Sequence, residues 1–121
     1  MNRKILLVED HDSLRQVIGN FLSIHFDVTG AKNGLEAMCL LSQGLFPNAI
    51  VTDALMPDLN GFQLLASLRC SGMYAHIPVV VMSGSCNDDE ELHFRQLGVS
   101  AYFRKPFSPV QLREHLQRIT N

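Results

Sequence analysis

The sequence predicts an α/β fold in which a five-stranded parallel sheet is covered by helices on both faces. Short apolar runs alternate with longer segments of helical periodicity, and this alternation occurs five times along the 121 residues. Such alternation is typical of parallel sheets, because each return to a parallel strand needs a crossover connection. Three of the runs, at residues 5–8, 49–52 and 79–82, contain only apolar and β-branched residues. This composition is expected of strands that helices cover on both sides.

Length and charge indicate a single domain that does not bind nucleic acid or membranes directly. The chain has 121 residues, 46% of them hydrophobic, and a formal net charge of −2. These values suit one compact core and provide no basic surface. The first apolar run, residues 5–8, is too short for a signal peptide or a membrane span. We therefore expect one cytoplasmic domain over residues 1–121.

The cysteines of this chain predict reduced thiols. Cys39, Cys70 and Cys86 are odd in number and widely spaced, and no two of them form a C-x-x-C pair. Neither a disulfide framework nor a zinc site is expected from this arrangement.

The first two strand–helix units differ in the polarity of their strands. The strand at 5–8 precedes a helix that we expect Asp12 to cap, because aspartate is a favoured N-cap residue. The apolar stripe of this helix consists of Leu14, Val17, Ile18, Phe21 and Leu22. The second strand, at 28–31, is more polar, so we expect it at an edge of the sheet. Its helix begins at Asn33, with Glu36 three residues on, which is an N-terminal signature.

The third unit joins the strand at 49–52 to a helix that begins near Asn60. Apolar and small residues recur at helical spacing on one face of this helix, which we expect to face the core. They are Gly61, Leu64, Leu65 and Leu68.

The last two units carry clear helix boundaries. The helix after the strand at 79–82 begins at Asn87 and has acidic residues at 88–91, where the helix dipole favours negative charge. It ends near Gly98, a suitable residue just beyond a helix. After the strand at 101–103, the sequence Ser108-Pro109-Val110-Gln111 predicts a capping box with proline at the first helical position.

Polar residues follow four of the five strands, at the point where each strand ends. They are Glu9 and Asp10 after the first strand, Asp53 after the third, Ser83 after the fourth and Lys105 after the fifth. Ligands of doubly wound sheets bind beyond the carboxyl ends of the strands, so we expect these side chains to lie close together. A carboxylate directly after an apolar strand, such as Asp53, is then explained by the partners that meet it there.

The chemistry of such a group is that of a metal-assisted phosphoryl site. Clustered carboxylates need a cation to stay ionised, and oxygen ligands without suitable histidine or cysteine favour Mg²⁺ or Mn²⁺ over zinc. A divalent ion and a lysine neutralise phosphate oxygens, and aspartate can accept a phosphoryl group as a nucleophile. This reasoning does not decide which carboxylate is modified.

Four motifs fall in order along the whole chain. They are the acidic pair Glu9-Asp10, the D-x-x-M-P-x-x-x-G block of Asp53, Met56, Pro57 and Gly61, then Ser83, and finally Lys105-Pro106. With these motifs the sequence closely resembles the receiver domain of two-component response regulators. The resemblance implies a flavodoxin-like, doubly wound (βα)5 fold with the strand order 2-1-3-4-5.

The resemblance also implies the roles of the acidic residues. Asp53 would accept a phosphoryl group from a sensor histidine kinase, a histidine phosphotransfer protein or a small donor such as acetyl phosphate. Asp10 would bind Mg²⁺ directly and Glu9 largely through water. Asp53 and the backbone carbonyl of Leu55 would complete the protein ligands.

Further roles that the resemblance implies concern the switch. Lys105 would pair with a phosphate oxygen, and its peptide bond to Pro106 would be cis. Ser83 would hydrogen-bond the phosphoryl group, its hydroxyl replacing that of the commoner threonine, and Tyr102 would turn inward behind it. Output would pass through helix 4, strand 5 and helix 5 to an output domain or effector protein, or to a second copy in a homodimer.

Two other classes of function remain open at this stage. An aspartyl-phosphate phosphohydrolase would carry a second aspartate two residues after the nucleophile, where this chain has Leu55. A receiver fold that works without phosphorylation would lack one of the acidic, acceptor or lysine positions, all of which are present. We therefore expect a signalling switch and not a turnover enzyme.

Overall fold

The computed structural model describes residues 3–56, 58–85 and 87–121. Within them, five strands alternate with five helices. The strands are β1 (Lys4–Val8), β2 (Asp27–Ala31), β3 (Ala49–Asp53), β4 (Val79–Ser83) and β5 (Ala101–Arg104). The helices are α1 (Asp12–Leu22), α2 (Gly34–Ser42), α3 (Gly61–Arg69), α4 (Asp88–Gln96) and α5 (Pro109–Ile119). The expectations for Pro57 and Cys86 concern positions outside the described residues.

The five strands form one parallel sheet in the order β2-β1-β3-β4-β5. This confirms the predicted α/β class, the strand order that the resemblance implies and the edge position of β2. The three central strands are buried along almost their whole length, whereas the edge strands β2 and β5 are only partly buried. Helices therefore cover both faces of β1, β3 and β4, as their apolar sequences predict.

Successive strand residues point to opposite faces of the sheet and build two separate apolar clusters. Leu6 and Val8 of β1 belong to one cluster, with side chains from α2, α3 and α4. Ile5 and Leu7 belong to the other, with side chains from α1 and α5. Each fully buried leucine or isoleucine contributes about 1.5–3 kcal/mol, so the strand ends that carry the polar residues are firmly held.

Side-chain caps begin four of the helices at the predicted residues. Asn33, Asn60, Asn87 and Ser108 each accept a hydrogen bond from a backbone N–H in the first turn of the following helix. Asn60 forms a full capping box with Gln63, and at α5 the structure contains the serine half of the predicted box. These caps satisfy amide groups that have no partner inside the helix, so they fix where each helix begins.

The predicted cap of α1 is wrong. α1 begins at Asp12 itself, and its N-cap residue is His11, whose side chain makes no capping hydrogen bond. The chain turns earlier than expected, because the backbone N–H of His11 donates to the Glu9 carboxylate at 3.1 Å. Asp12 therefore lies in the first turn, where its carboxylate pairs with Arg15 at 2.5 Å, three residues along the same helix face.

Two further predictions concern the described cysteines and the helices. Cys39 and Cys70 are free thiols on the surface. Across residues 3–56, 58–85 and 87–121, no helix combines the length and the apolar character that crossing a bilayer requires.

Candidate functional site

Three carboxylates meet at the carboxyl edge of the sheet. Oxygen atoms of Glu9, Asp10 and Asp53 all lie within 4.8 Å of one another. Glu9 is completely buried, Asp53 is 7% exposed and Asp10 lies on the surface. The cluster is therefore open to solvent on one side and closed on the other, a form that suits a partly hydrated ion.

A tight turn after β1 brings both acidic residues of the first motif into the cluster. The backbone N–H of Glu9 still donates to the Ala31 carbonyl of β2 at 2.9 Å, and the chain then turns toward α1. Arg15 stabilises this turn, because its Nη1 donates to the Glu9 carbonyl at 2.7 Å. Arg15 is not among the residues that the motifs predict at the site, and its sequence signal is a position in the first turn of the helix after the acidic pair.

Asp53 is the last residue of β3 and stands where α3 approaches the strand most closely. The next backbone N–H, of Ala54, donates to the Met82 carbonyl of β4 at 2.8 Å. A Cβ atom on Gly61 would lie 2.4 Å from the Asp53 carbonyl oxygen, closer than such contacts allow. The glycine of the D-x-x-M-P-x-x-x-G block is thus required because α3 begins directly against the end of β3.

Lys105 bridges the two buried carboxylates. Its Nζ donates to Glu9 Oε1 at 3.1 Å and to Asp53 Oδ2 at 3.2 Å. The Lys105–Pro106 peptide bond is cis, and the backbone N–H of Lys105 donates to the Ser83 carbonyl at 2.7 Å. The side chain is thus directed toward the cluster by a backbone that is anchored to the end of β4.

The pKa values of the site reflect its excess of negative charge. Partial burial works to lower the pKa of Lys105, but the Asp53 and Glu9 carboxylates outweigh it and hold that pKa above its ordinary value. Burial raises the pKa of Asp10, and the hydrogen bond and negative charge of Glu9 raise it further. Three carboxylates beside one ammonium therefore leave a site in which an additional cation would be favourable.

The residues present fit a divalent metal ion. The donors of the cluster are carboxylate oxygens, which hard cations such as Mg²⁺ and Mn²⁺ prefer. Lys105 compensates Glu9 and Asp53 but makes no contact with Asp10. Leu55 follows Asp53 by two residues and is 66% exposed.

Glu90 links Ser83 and Tyr102, although the motifs do not predict it at the site. Ser83 is the buried last residue of β4, and its hydroxyl donates to Glu90 Oε1 at 2.7 Å. The half-buried Tyr102 hydroxyl donates to the same oxygen at 2.8 Å. Partial burial raises the pKa of Tyr102, and the bond to the Glu90 carboxylate adds to the increase.

The acidic run at 88–91 is expected from sequence to complement the helix dipole, with contact to a partner as the alternative, and Glu90 has a further role inside the fold. Glu90 occupies the third position of α4, from which a glutamate side chain can reach back toward residues before the helix. Here it reaches past the cap to the end of β4. Its position seven residues after Ser83 is the sequence signal, but it becomes informative only once the loop geometry is known.

Comparison with known proteins shows which family this chain belongs to. The sequence model of one family, the response regulator receiver domain, matches residues 5–117. The chain is 34% identical to chemotaxis protein CheY-3 of Vibrio cholerae over 120 residues, which cover 98% of this chain and 92% of that protein. It is similarly related to chemotaxis protein CheY of Pseudomonas aeruginosa, with 34% identity over 118 residues, 96% of this chain and 94% of the relative.

Solved structures share the fold. A response regulator receiver protein from Pseudomonas putida superimposes with a TM-score of 0.91 at 26% identity, covering 98% of both chains. The Mn²⁺-bound form of response regulator Rcp1 gives a TM-score of 0.81 at 28% identity, covering 97% of this chain and 91% of that one. Parallel sheet, strand order and flanking helices are thus those of signalling receiver domains.

The class is therefore a receiver domain of two-component signal transduction, of the type found in the chemotaxis response regulators. This chain belongs to the response regulator receiver domain family. The predicted family, fold and signalling function are confirmed. Receiver domains of this type are signalling switches that interact with histidine kinases and downstream effectors.

Proposed function

We propose that the chain accepts a phosphoryl group on Asp53 from a sensor histidine kinase or a histidine phosphotransfer protein. Mg²⁺ is the proposed cofactor, with Mn²⁺ able to replace it. The observation that carries this proposal is the group of three carboxylates within 4.8 Å of one another, two of which, Glu9 and Asp53, are bridged by the Lys105 ammonium. The carboxyl edge of one sheet thus carries the proposed acceptor, the proposed cation site and the lysine that would pair with the phosphate.

The proposed transfer is an in-line displacement at phosphorus. A carboxylate oxygen of Asp53 attacks the phosphorus atom, and the bond from phosphorus to the histidine nitrogen breaks. The electron pair of that bond stays on the imidazole, which leaves with the partner protein. With acetyl phosphate the broken bond is P–O, and acetate leaves with the electron pair. Lys105 Nζ lies 3.2 Å from Asp53 Oδ2. It is therefore close enough to a phosphoryl group on Asp53 to neutralise charge on one of its oxygens.

The proposed metal ligands are Asp10, directly, Asp53, the backbone carbonyl of Leu55, and Glu9 largely through water. A divalent ion bound there would neutralise phosphoryl oxygens during transfer. The all-oxygen donor set supports this choice of ion, and the related Rcp1 has a Mn²⁺-bound form. The raised pKa of Asp10 is also consistent with a carboxyl that gains from a neighbouring cation.

The proposed switch consists of Ser83 and Tyr102. The Ser83 hydroxyl would hydrogen-bond the new phosphoryl group, and Tyr102 would turn inward behind it. The change would reach an output domain, an effector protein or a second copy of the chain through α4, β5 and α5. A net charge of −2 favours protein partners over nucleic acid or membranes for this domain.

We also propose that residues 1–121 form one cytoplasmic domain without turnover activity. The side chain two residues after Asp53 is Leu55, which offers no acid to protonate a leaving group, and it is 66% exposed. General acid catalysis needs such a group within hydrogen-bonding reach. The apolar Leu55 and the short Ser85 also offer no strong acid or amide to position an attacking water, so we expect no unusual acceleration of aspartyl-phosphate hydrolysis.

Intact-mass spectrometry after incubation with acetyl phosphate and Mg²⁺ tests the acceptor. We expect one phosphate to be added to the parent chain, and none to Asp53→Asn or when the metal is chelated. The matched control is Asp58→Asn in the loop after β3. Asp58 has a positive φ of 60°, and asparagine tolerates this backbone conformation. Labelling of Asp53→Asn as efficient as that of the parent chain would show that another residue is the acceptor.

A further inference from the structure

Glu90 lies in the first turn of α4, but its carboxylate points back to the end of the sheet. Its Oε1 atom accepts hydrogen bonds from the Ser83 hydroxyl at 2.7 Å and from the Tyr102 hydroxyl at 2.8 Å. Hydrogen bonds to an ionised acceptor are about twice as strong as neutral ones. A single carboxylate oxygen therefore connects the end of β4, the strand β5 and the start of α4.

The single hydrogen of the Ser83 hydroxyl is already donated in this arrangement. A serine hydroxyl carries one hydrogen, so it can donate one hydrogen bond at a time. Here that hydrogen goes to Glu90, while the oxygen accepts the backbone N–H of Ser85 at 3.0 Å. A phosphoryl group on Asp53 could receive the same hydrogen only if Ser83 released Glu90.

The neighbouring acids of α4 face elsewhere. Asp88 pairs with Arg104 at 2.6 Å, and Glu91 pairs with both Arg95 and Arg104 at 3.0–3.1 Å. Asp89 is exposed. Glu90 thus differs from the rest of the acidic turn, because within the described residues it accepts hydrogen bonds from the two hydroxyls of the proposed switch.

We propose that Glu90 is a positioning residue that favours the unphosphorylated form by competing with the phosphoryl group for the Ser83 hydroxyl. This inference rests on the proposed function of Asp53 and Ser83. When the Ser83 hydroxyl donates its hydrogen to the phosphoryl group, the hydrogen bond from Ser83 to Glu90, which joins β4 to α4, is lost. Tyr102 and the first turn of α4 are then free to rearrange together, which couples the acceptor to the proposed output surface.

Binding of beryllofluoride in the presence of Mg²⁺ tests this role, because beryllofluoride on a carboxylate imitates an aspartyl phosphate. We expect Glu90→Ala to tighten its binding about threefold to tenfold, the range expected for loss of a half-exposed competing hydrogen bond. Glu90→Gln keeps the acceptor but removes the charge, so a smaller gain is expected. Affinity is measured by 19F NMR titration, after thermal unfolding has verified that each variant is folded.

Asp89→Ala and Asp89→Asn are the matched controls, because they remove a negative charge one residue away without touching Ser83. A second control removes the hydroxyl: in a Ser83→Ala background, Glu90→Ala is expected to change the affinity less than about twofold. If Glu90 acted only through the fold or through its charge, Glu90→Ala would still tighten beryllofluoride binding in the Ser83→Ala background.

Three results would overturn the inference while leaving the acceptor function intact. They are an unchanged affinity in Glu90→Ala, an equal gain in the Asp89 variants, and an undiminished gain in the Ser83→Ala background. Failure of the parent chain to bind beryllofluoride, or binding that survives Asp53→Asn, would instead contradict the proposed function, and the role of Glu90 with it.

Discussion

At the scale of single residues, Lys105 is the side chain on which the electrostatics of the site depend. It lies 3.1 Å from a Glu9 oxygen and 3.2 Å from an Asp53 oxygen, so it partly neutralises two carboxylates that also serve as proposed metal ligands. A divalent ion bound at the proposed site would share these oxygens with Lys105. On the proposed function, we therefore expect Lys105 to weaken metal binding and to promote phosphoryl transfer, and the two effects can be separated by experiment.

We predict that Lys105→Gln slows labelling by acetyl phosphate about 100-fold, as loss of one charge-stabilising donor commonly does. The same variant should bind Mg²⁺ more tightly, because the competing ammonium is gone. Rates are measured at saturating Mg²⁺ and metal affinity by calorimetric titration. Exposed Lys32→Gln is the control and should leave both quantities unchanged. A variant that labels as fast as the parent chain would remove Lys105 from the mechanism.

Among the individual residues, the positions of Glu90 and Asp12 could not be predicted from the sequence alone. Asp12 is a favoured capping residue, but the hydrogen bond from the His11 amide to Glu9 begins α1 one residue earlier than a cap at Asp12 requires. Glu90 is one of four consecutive acids, and nothing in that run distinguishes it. Both outcomes depend on loop geometry, which local preferences do not determine.

At the scale of elements, α3 approaches the end of β3 so closely that the contact leaves no room for a side chain at Gly61. A Cβ on Gly61 would meet the Asp53 carbonyl oxygen at 2.4 Å and the Ala54 Cα at 3.0 Å. Both neighbours are backbone atoms and cannot move aside as a side chain could. The start of α3 would have to shift, and the loop that carries Leu55 would shift with it.

We predict that Gly61→Ala destabilises the protein by about 1–3 kcal/mol, the usual cost of overpacking. Gly72→Ala is the control, because a Cβ there meets no atom within 4 Å. Urea unfolding of both variants gives the free energies. Equal stability of the two variants would show that α3 can retreat from β3 without cost.

The elements themselves were largely predictable because each carries its own local signals. The caps at Asn33, Asn60, Asn87 and Ser108 were recognised from residue type and spacing, and the structure contains them. The polar composition of residues 28–31 placed β2 at an edge. The meeting of Asp53 with Lys105 followed from the general rule for strand ends, although 52 positions separate them.

At the scale of the whole molecule, acid should weaken the fold through His115. The Ser100 Oγ lies 2.9 Å from its Nε2, and the Arg118 guanidinium donates to its Nδ1 at 3.1 Å. Burial lowers the pKa of His115, and the positive charge of Arg118 lowers it further. The unfolded chain therefore binds this proton more readily than the folded one, so stability falls as pH drops through the unfolded value of about 6.5.

We predict that His115→Gln loses less thermal stability than the parent chain between about pH 7.5 and pH 5.5. Exposed His25→Gln is the control and should retain the pH dependence of the parent. Melting temperatures at several pH values supply the measurement. Parallel curves for His115→Gln and the parent chain would exclude His115 as the source of the acid sensitivity.

The origin of the site from distant strands has a consequence for its assembly during synthesis. Lys105 follows Glu9 by 96 positions and is reached only after β5, the last strand along the chain. While the ribosome is still translating, the earlier carboxylates can already lie side by side, but the ammonium that bridges them has not yet been made. If Asp53 is the acceptor, as proposed, we expect a nascent polypeptide to become competent for modification only after β5 has joined the sheet and brought Lys105 to the carboxylates.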